Sequence, residues 1–253
     1  MLYLYGVTRA DREQPKLEGL GSPPAAVRLI ESGPVAAAVT ELPDDYVVEE
    51  EDARAHLQVL IGLLEAGPVL PLRMGTVAPG EEAVRSEVLD VAQPTLVSKL
   101  DAIDGMVELH VDVEDDESQS IAEIARSAGV PVGPSEDLES RIELGQEIAD
   151  LLVARRQRVA DEIVSELRPL AVQDTARSVI RSAEDPVLRW AFLVAREEMD
   201  RFDEAVAKLR AEHPTLAISY FGPLPPSHFI EWQSESQAVS EADSFHAQGA
   251  WGW

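Results

Sequence analysis

The feature that most constrains the fold is a long helical pattern in the second half of the chain. Residues 136–167, EDLESRIELGQEIADLLVARRQRVADEIVSEL, carry apolar residues at intervals of three, four or seven, with one gap of six across Gly145. This spacing places them on one face of an α-helix. A helix of this length reaches about 48 Å, more than the width of a small domain. We therefore predict that part of it projects or lies along another helix, as in a coiled coil.

The N-terminal part of the chain begins with strand patterns. LYLYGVT, residues 2–8, is aromatic and β-branched, which predicts an opening strand. Residues 25–42, AAVRLIESGPVAAAVTEL, contain two apolar runs separated by Glu31-Ser32-Gly33-Pro34. Because glycine and proline favour turns, this pattern is typical of a β-hairpin.

Helix and strand patterns alternate after the hairpin. The apolar stripe that starts at His56 predicts a first helix. Residues 81–105, EEAVRSEVLDVAQPTLVSKLDAIDG, predict a second helix with a kink at Pro94. MVELHVDVE, residues 106–114, alternates apolar and polar side chains and predicts a half-buried strand. Together these elements predict an N-terminal ferredoxin-like α/β sandwich over residues 1–114.

The remaining elements predict a second α+β domain over residues 115–231. A short helix precedes the long one, and two strands are expected around an Asp185-Pro186 turn. An amphipathic helix and a closing strand over residues 215–226, TLAISYFGPLPP, follow. The predicted fold class is therefore α+β with two domains, the second containing the long helix 136–167, and with a C-terminal tail.

Composition excludes several kinds of partner and chemistry. The chain has 21 Lys and Arg against 47 Asp and Glu, a formal net charge of -26, which disfavours nucleic acid and anionic membranes as partners. It has no cysteine, which excludes disulfides, thiolate nucleophiles and Cys-based zinc sites. The apolar run from Val59 to Leu72 is interrupted and shorter than the roughly 20 residues that a bilayer requires. We expect a cytoplasmic protein.

One loop has the outline of a phosphate-binding loop. In PVLPLRMGTVAPGEE, residues 68–82, Gly75 and Gly80 have the spacing of the two glycines of a P-loop. A P-loop continues with Lys and then Ser or Thr, whereas this chain has Glu81 and Glu82. Two carboxylates repel a polyphosphate and favour a helix N-terminus. We therefore predict a structural turn followed by a helix that is capped by its own acids.

The sequence contains no recognisable catalytic or metal-binding pattern. The histidines lack the spacing of a helical zinc site, and no Gly-x-Ser-x-Gly motif occurs. We predict no enzyme activity and no cofactor. Arg73, which closes an apolar run, is expected to pair with an acid of the neighbouring domain. The alternative is that Arg73 anchors a small ligand in an interdomain cleft, as a binder or an enzyme would use it.

The C-terminal region is rich in aromatic residues. We expect residues 220–232, YFGPLPPSHFIEW, to be ordered, with their aromatic side chains packed onto the domain. Residues 232–253 form an acidic tail that carries three of the four Trp and no Lys or Arg. Because such a density of exposed aromatic side chains is unusual, we predict that the tail docks. The docking residues are Trp232, Phe245, Trp251 and Trp253.

Three segments in this order resemble the gas vesicle protein F/L family. They are LYLYGV at the start, VLPLRMGTV at 69–77 and FGPLPPSHF at 221–229. Together they cover residues 1 to about 231. Met74 stands where the family usually has Phe, and Leu224 where it usually has Trp.

The resemblance implies a non-enzymatic accessory protein of gas vesicle formation. Family members have two α/β domains with an extended helical part and engage the small, hydrophobic shell-forming protein. The implied partners are this shell protein and other gas vesicle accessory proteins, in the cytoplasm or on the vesicle; a scaffold that bridges accessory proteins is the alternative. The residues that it points to as partner-binding or interdomain are Arg73, Met74, Tyr3, Tyr5, Leu224 and Phe229. In this hypothesis the tail covers the apolar binding surface and regulates it.

Overall fold

The structure, a computed structural model, describes residues 1–127, 138–180, 182 and 185–230. The chain divides into two units. The first contains Met1–Val107 and resumes at Pro223, and the second is Glu108–Gly222. The predicted α+β class, with two antiparallel sheets and a long helix, is confirmed.

The first unit is built on a sheet in which β1 is central. The strand order is β2-β3-β1-β4, and β5 also pairs with β1. The opening strand and the hairpin, with Gly33 in its turn at a φ of 56°, are confirmed. The elements of this unit are β1 (Leu2–Arg9), β2 (Arg28–Ser32), β3 (Val35–Glu41), α1 (Asp52–Glu65), β4 (Val69–Pro71), β5 (Val77–Ala78), α2 (Glu81–Ala83), a π-helical segment (Val84–Leu89) and α3 (Gln93–Ala102).

Strand β1 is buried on both faces. Leu2 and Leu4 belong to an apolar core that also contains residues of the π-helical segment and of α3. Tyr3, which points the other way, packs against His56 of α1. The aromatic and aliphatic pattern of LYLYGV therefore reflects a strand with helices on both sides.

Gly6 interrupts β1 at a bulge where another strand comes very close. The register of β1 shifts between Leu4 and Gly6. A Cβ atom at Gly6 would lie 2.7 Å from the backbone oxygen of Leu70 and 3.0 Å from Val69 Cγ2. The glycine is therefore required by the approach of β4.

We expect Gly6→Ala to lower the free energy of unfolding by about 1–3 kcal/mol, because the backbone of β4 must move to admit the methyl group. Urea denaturation measures this change. Gly80→Ala is the matched control, since a Cβ there meets no atom within 4 Å. Equal stability of Gly6→Ala and wild type would show that the β1–β4 contact is not tight.

The second predicted helix of this unit is divided in two. The sequence predicts one helix over residues 81–105 with a kink at Pro94, but the π-helical segment ends at Leu89 and α3 starts at Gln93. Pro94 lies in the first turn of α3. Proline lacks an N–H group, so it is tolerated in a first turn but not in a helix interior. The proline therefore starts a new helix.

The second unit contains a four-stranded sheet of order β7-β8-β6-β9. The sequence predicts the strand over residues 106–114 as the last one of the first domain, whereas β6 lies between β8 and β9. Its side chains Val107, Leu109, Val111 and Val113 are fully buried, as expected for an inner strand. The elements are β6 (Met106–Asp115), α4 (Glu117–Ser127), α5 (Leu138–Leu167), β7 (Gln173–Ala176), β8 (Leu188–Ala195), α6 (Met199–Glu212) and β9 (Leu216–Leu224).

The long helix is confirmed as α5, with 30 residues. It contacts both α4 and α6. Its described side chains before Leu152 are exposed or half-buried, and Ile142 is 54% exposed. From Leu152 to Leu167 the helix has a buried face. Among the described side chains of α5, those from Leu152 onward therefore contribute to the core of the second unit.

A buried ion pair joins α5 to β6. The Arg156 and Asp115 side chains are 5% and 8% exposed, and Arg156 Nη2 donates to Asp115 Oδ1 at 2.6 Å. Arg156 Nη1 donates to the backbone oxygen of Asp185 at 2.9 Å, and Ser120 Oγ donates to Asp115 Oδ2 at 2.8 Å. Burial alone would raise the pKa of Asp115, but the bonds from Arg156 and Ser120 outweigh it and lower this pKa.

Candidate functional site

The segment between β4 and β5 forms a tight turn whose middle is exposed. Thr76 donates to the backbone oxygen of Arg73 twice, from its amide at 3.1 Å and from its hydroxyl at 2.7 Å. Gly75 has a φ of 89°, a left-handed conformation that favours glycine at the third position of a turn. Arg73, Met74 and Gly75 are exposed. A structural turn is therefore present, but it closes at Thr76, and strand β5, which the sequence does not predict, separates it from α2.

The hydroxyl group of Tyr3 fastens this turn to the interior. Tyr3 Oη lies 2.8 Å from His56 Nδ1 and accepts a hydrogen bond of 3.3 Å from the amide of Gly75. The Leu4 amide also donates to the backbone oxygen of Thr76 at 2.9 Å. Both Tyr3 and His56 are buried. The turn is thus bonded to β1 and, through Tyr3, to α1.

Burial keeps both groups of this contact uncharged. Desolvation lowers the pKa of His56 to about 4, although a hydrogen bond to the backbone of Leu72 acts in the opposite direction. Desolvation likewise raises the pKa of Tyr3 to about 12. At neutral pH the phenol therefore donates to the neutral imidazole at Nδ1 while it accepts from Gly75.

Tyr5 belongs to the same internal cluster. Its ring centroid lies 5.0 Å from that of Tyr3 and 5.5 Å from that of His56. Its hydroxyl donates to Thr40 Oγ1 at 3.1 Å and accepts from the Leu20 amide at 2.8 Å. Tyr3 and Tyr5 are 0% exposed. They support the turn from the interior, and their side chains are not accessible to a partner.

Two exposed apolar side chains lie beside this anchor. Met74 is 37% and Leu57 is 42% exposed. Met74 precedes Gly75 and Leu57 follows His56, and both Gly75 and His56 are bonded to the Tyr3 hydroxyl. We call Leu57, Arg73 and Met74 the turn surface. It presents apolar side chains on a support that is fixed by hydrogen bonds.

Arg73, whose ion pair with an acid of the neighbouring domain stays a prediction, lies in the turn between β4 and β5. It is exposed, and its guanidinium is paired with no carboxylate of the residues that the structure describes. Its backbone oxygen, not its side chain, closes the turn. The Arg73 guanidinium is therefore an exposed cation on the turn surface.

The prediction that the helix after the turn is capped by its own acids is wrong. Glu81 and Glu82 lie in the first turn of α2, although no side chain caps this N-terminus. Glu81 instead pairs with Arg28 at 2.8 Å and Arg85 at 3.0 Å. The hydrogen bond from Arg85, followed by that from Arg28, lowers the pKa of Glu81. These contacts leave a carboxylate where a phosphate-binding loop needs a cation.

The structure describes the late proline-rich segment as far as residue 230. Leu224 and Phe229 are half-buried, and Ile230 is part of the core of the first unit. Tyr220 stacks on Phe202 with 5.9 Å between ring centroids. The prediction that Phe221 packs in the same way is wrong, because this side chain is 52% exposed. The predicted docking residues of the tail, from Trp232 onward, lie outside the described residues.

Comparison with known proteins identifies the family. The family model described as "Gas vesicle synthesis protein GvpL/GvpF" matches residues 1–231. The chain belongs to this family. The resemblance of the three sequence segments is thereby confirmed. Members of the GvpL/GvpF family are gas vesicle structural or assembly proteins, and this is not a known enzyme family.

Individual relatives agree with this assignment. Gas vesicle protein F of Streptomyces sp. (strain CB03234) is 32% identical over 246 residues, which cover 90% of this chain and 99% of the relative. Gas vesicle protein F1 of Halobacterium salinarum is 25% identical over 234 residues, which cover 91% of this chain and 92% of the relative. The chain therefore matches relatives over nearly their whole length.

Solved structures share the fold. The crystal structure of GvpF from Anabaena sp. PCC7120 superposes with a TM-score of 0.77 at 23% identity and covers 97% of this chain and 99% of that one. GvpF from Microcystis aeruginosa gives a TM-score of 0.74 at 20% identity, with coverage of 91% and 99%. In the described part of the chain, no helix combines the length and apolar character needed to cross a membrane.

Two residues of the site, His56 and Leu57, carry no motif in the sequence. Both fit the apolar stripe that predicts α1, where a histidine is indistinguishable from a packing residue. One feature of the sequence does point to His56: it places an ionisable ring in an otherwise aliphatic stripe. The aromatic strand β1 contains phenols that need hydrogen-bond partners when they are buried, and such a ring can supply one.

Proposed function

We propose that this member of the GvpL/GvpF family binds the small hydrophobic shell-forming protein, keeps it from aggregating and aids nucleation of the vesicle. Its family places it in gas vesicle formation. The proposal also locates it in the cytoplasm and on the growing vesicle, with the shell protein and other accessory proteins as partners.

The observation that carries the proposal is the turn surface. Of its apolar members, Met74 is exposed on the turn that Tyr3 and His56 anchor, and Leu57 is exposed on helix α1 next to His56. Both positions lie on rigid backbone, so little conformational entropy is lost when a partner binds there. Methionine adapts to irregular apolar partners because its side chain is unbranched and polarisable. The net charge of -26 supports solubility of a complex with a hydrophobic subunit.

We expect the double variant Leu57→Asp/Met74→Asp to reduce capture of the shell protein at least about tenfold, because two carboxylates must then be desolvated at the contact. The measurement is co-expression with the shell protein, followed by pull-down and sedimentation. Val91→Asp is the matched control, since Val91 belongs to the same unit and is 76% exposed but is not part of the turn surface.

The outcomes separate the alternatives. If the wild type neither captures the shell protein nor keeps it soluble, the proposed function fails. Capture of other accessory proteins without the shell protein would favour the scaffold function instead. If the double variant binds as well as Val91→Asp does, the turn surface is not the contact.

A further inference from the structure

The turn surface contains a side chain that a mild oxidant modifies. The chain has four methionines, Met1, Met74, Met106 and Met199. Met74 is 37% exposed, whereas the other three are half-buried. Because a reagent in solution must reach the sulfur, Met74 is the methionine that is most open to oxidation.

The turn between β4 and β5 holds this side chain outward. Leu72 and Thr76, two residues before and two residues after Met74, are only 5% and 6% exposed. A Cβ atom at Gly75 would meet no atom of the described chain within 4 Å, so the space around the tip of the turn is open. A small solute therefore has access to residue 74, while the side chains on either side of it are shielded.

The fold of the turn does not depend on the Met74 side chain. The bonds that close the turn run from Thr76 to the backbone oxygen of Arg73. The bond that fastens it to the interior runs from the Gly75 amide to the Tyr3 hydroxyl. A change in the polarity of residue 74 therefore alters the surface of the turn and leaves its hydrogen bonds intact.

The chemistry of a thioether suits a hydroperoxide as the oxidant. The sulfur lone pair attacks one peroxide oxygen, so that an S–O bond forms and the O–O bond breaks. With hydrogen peroxide, the departing hydroxide takes the proton of the transferred oxygen and leaves as water. The sulfur is oxidised by two electrons and the peroxide is reduced. The product is a polar sulfoxide, which methionine sulfoxide reductases convert back to the thioether.

We propose that Met74 is a site of reversible oxidation by hydroperoxides, and that its sulfoxide weakens binding at the turn surface. The second part rests on the proposed function. Oxidation makes one of the two apolar side chains of this surface polar, and the sulfoxide must lose its water when a partner covers it. Leu57 and Arg73 do not react with a hydroperoxide, so the effect has one chemical centre on this surface.

Site-resolved mass spectrometry tests the first part. The full chain is treated with hydrogen peroxide for increasing times, and the sulfoxide at each methionine is measured in its peptide. We expect Met74 to be oxidised at least about five times faster than Met106 and Met199, because its sulfur is the more exposed. Oxidation of Met106 or Met199 at the same rate or faster overturns the assignment.

Capture of the shell protein tests the second part. We expect oxidised wild type to capture roughly three- to tenfold less shell protein than untreated wild type, because a polar group is desolvated at the contact. Treatment with methionine sulfoxide reductase should restore the capture. Unchanged capture by protein that mass spectrometry shows to be oxidised at Met74 overturns the second part.

Met74→Phe is the matched control. It keeps a large apolar side chain on the turn and removes the sulfur, so peroxide should not reduce its capture of the shell protein. Met74→Leu is a second sulfur-free variant, for use if the ring is not tolerated. An equal loss of capture in oxidised wild type and in the oxidised sulfur-free variant places the effect at another residue and contradicts the proposal.

The two parts fail separately. If untreated wild type does not capture the shell protein, the proposed function is wrong and the effect on binding falls with it. The relative oxidation rate of Met74 still decides whether the residue is the oxidation site, because that measurement involves no partner.

Discussion

Replacing Arg156 with methionine is expected to lower the free energy of unfolding of the second unit by roughly 3–5 kcal/mol. The substitution removes the cation that pairs with the buried carboxylate of Asp115. The hydrogen bond from the Ser120 hydroxyl to this carboxylate remains. The substitution also removes the donor to the backbone oxygen of Asp185. Urea denaturation followed by Trp190 fluorescence measures the change, in a background where the three tail Trp are replaced by Phe so that Trp190 is the sole tryptophan.

The matched control is the exposed pair of Arg201 with Glu198. Arg201 is 66% exposed, and Arg201→Met should change the free energy of unfolding by less than about 1 kcal/mol. The double variant Arg156→Met/Asp115→Leu should recover most of the lost stability, because it removes both charges. A loss below about 1 kcal/mol for Arg156→Met alone would show that the buried pair is not important for stability.

As the pH falls from 7 to 4, we expect the free energy of unfolding of the wild type to decrease by roughly 3 kcal/mol more than that of His56→Gln. The pKa of His56 is about 4 in the folded protein, against 6.5 as its ordinary value. The unfolded chain therefore binds a proton at His56 that the folded chain excludes. The contribution of the neutral ring is fully present above about pH 6.5 and is lost as the pH falls towards 4.

The comparison with His56→Gln isolates this group from the many carboxylates that titrate in the same range. The measured quantity is the free energy of unfolding from urea denaturation at a series of pH values. Tyr3→Phe is the control, because it disrupts the same anchor but retains the titrating ring and should keep the acid dependence. Parallel pH profiles of wild type and His56→Gln would contradict the buried, neutral assignment.

Local patterns predicted the elements that depend on neighbouring residues. The hairpin at Gly33, the long helix α5 and the acids in the first turn of α2 follow from turn chemistry, apolar spacing and helix electrostatics. The three family segments pointed to the correct family. In each case the cause and its effect lie within a few residues of one another.

The features that were not predicted depend on contacts between distant segments. Strand β6 has the same alternating pattern whichever sheet receives it, and its place between β8 and β9 is set by pairing with residues far along the chain. The anchor of the turn joins Tyr3, His56 and Gly75, which no spacing rule connects. The partner of Arg73 depends on distant segments in the same way, because an arginine at a strand end does not show which acid faces it.

The first unit also has a consequence for synthesis of the protein on the ribosome. Its core includes Ile230, whereas the rest of its elements end by residue 107. Translation proceeds at about 5–20 residues per second, so the nascent first unit waits on the order of ten seconds for its last core residue. During that interval the second unit is made in full while part of the first core remains open to molecular chaperones. A chain that stalls before residue 230 therefore carries an incomplete first unit, however well its second unit has folded.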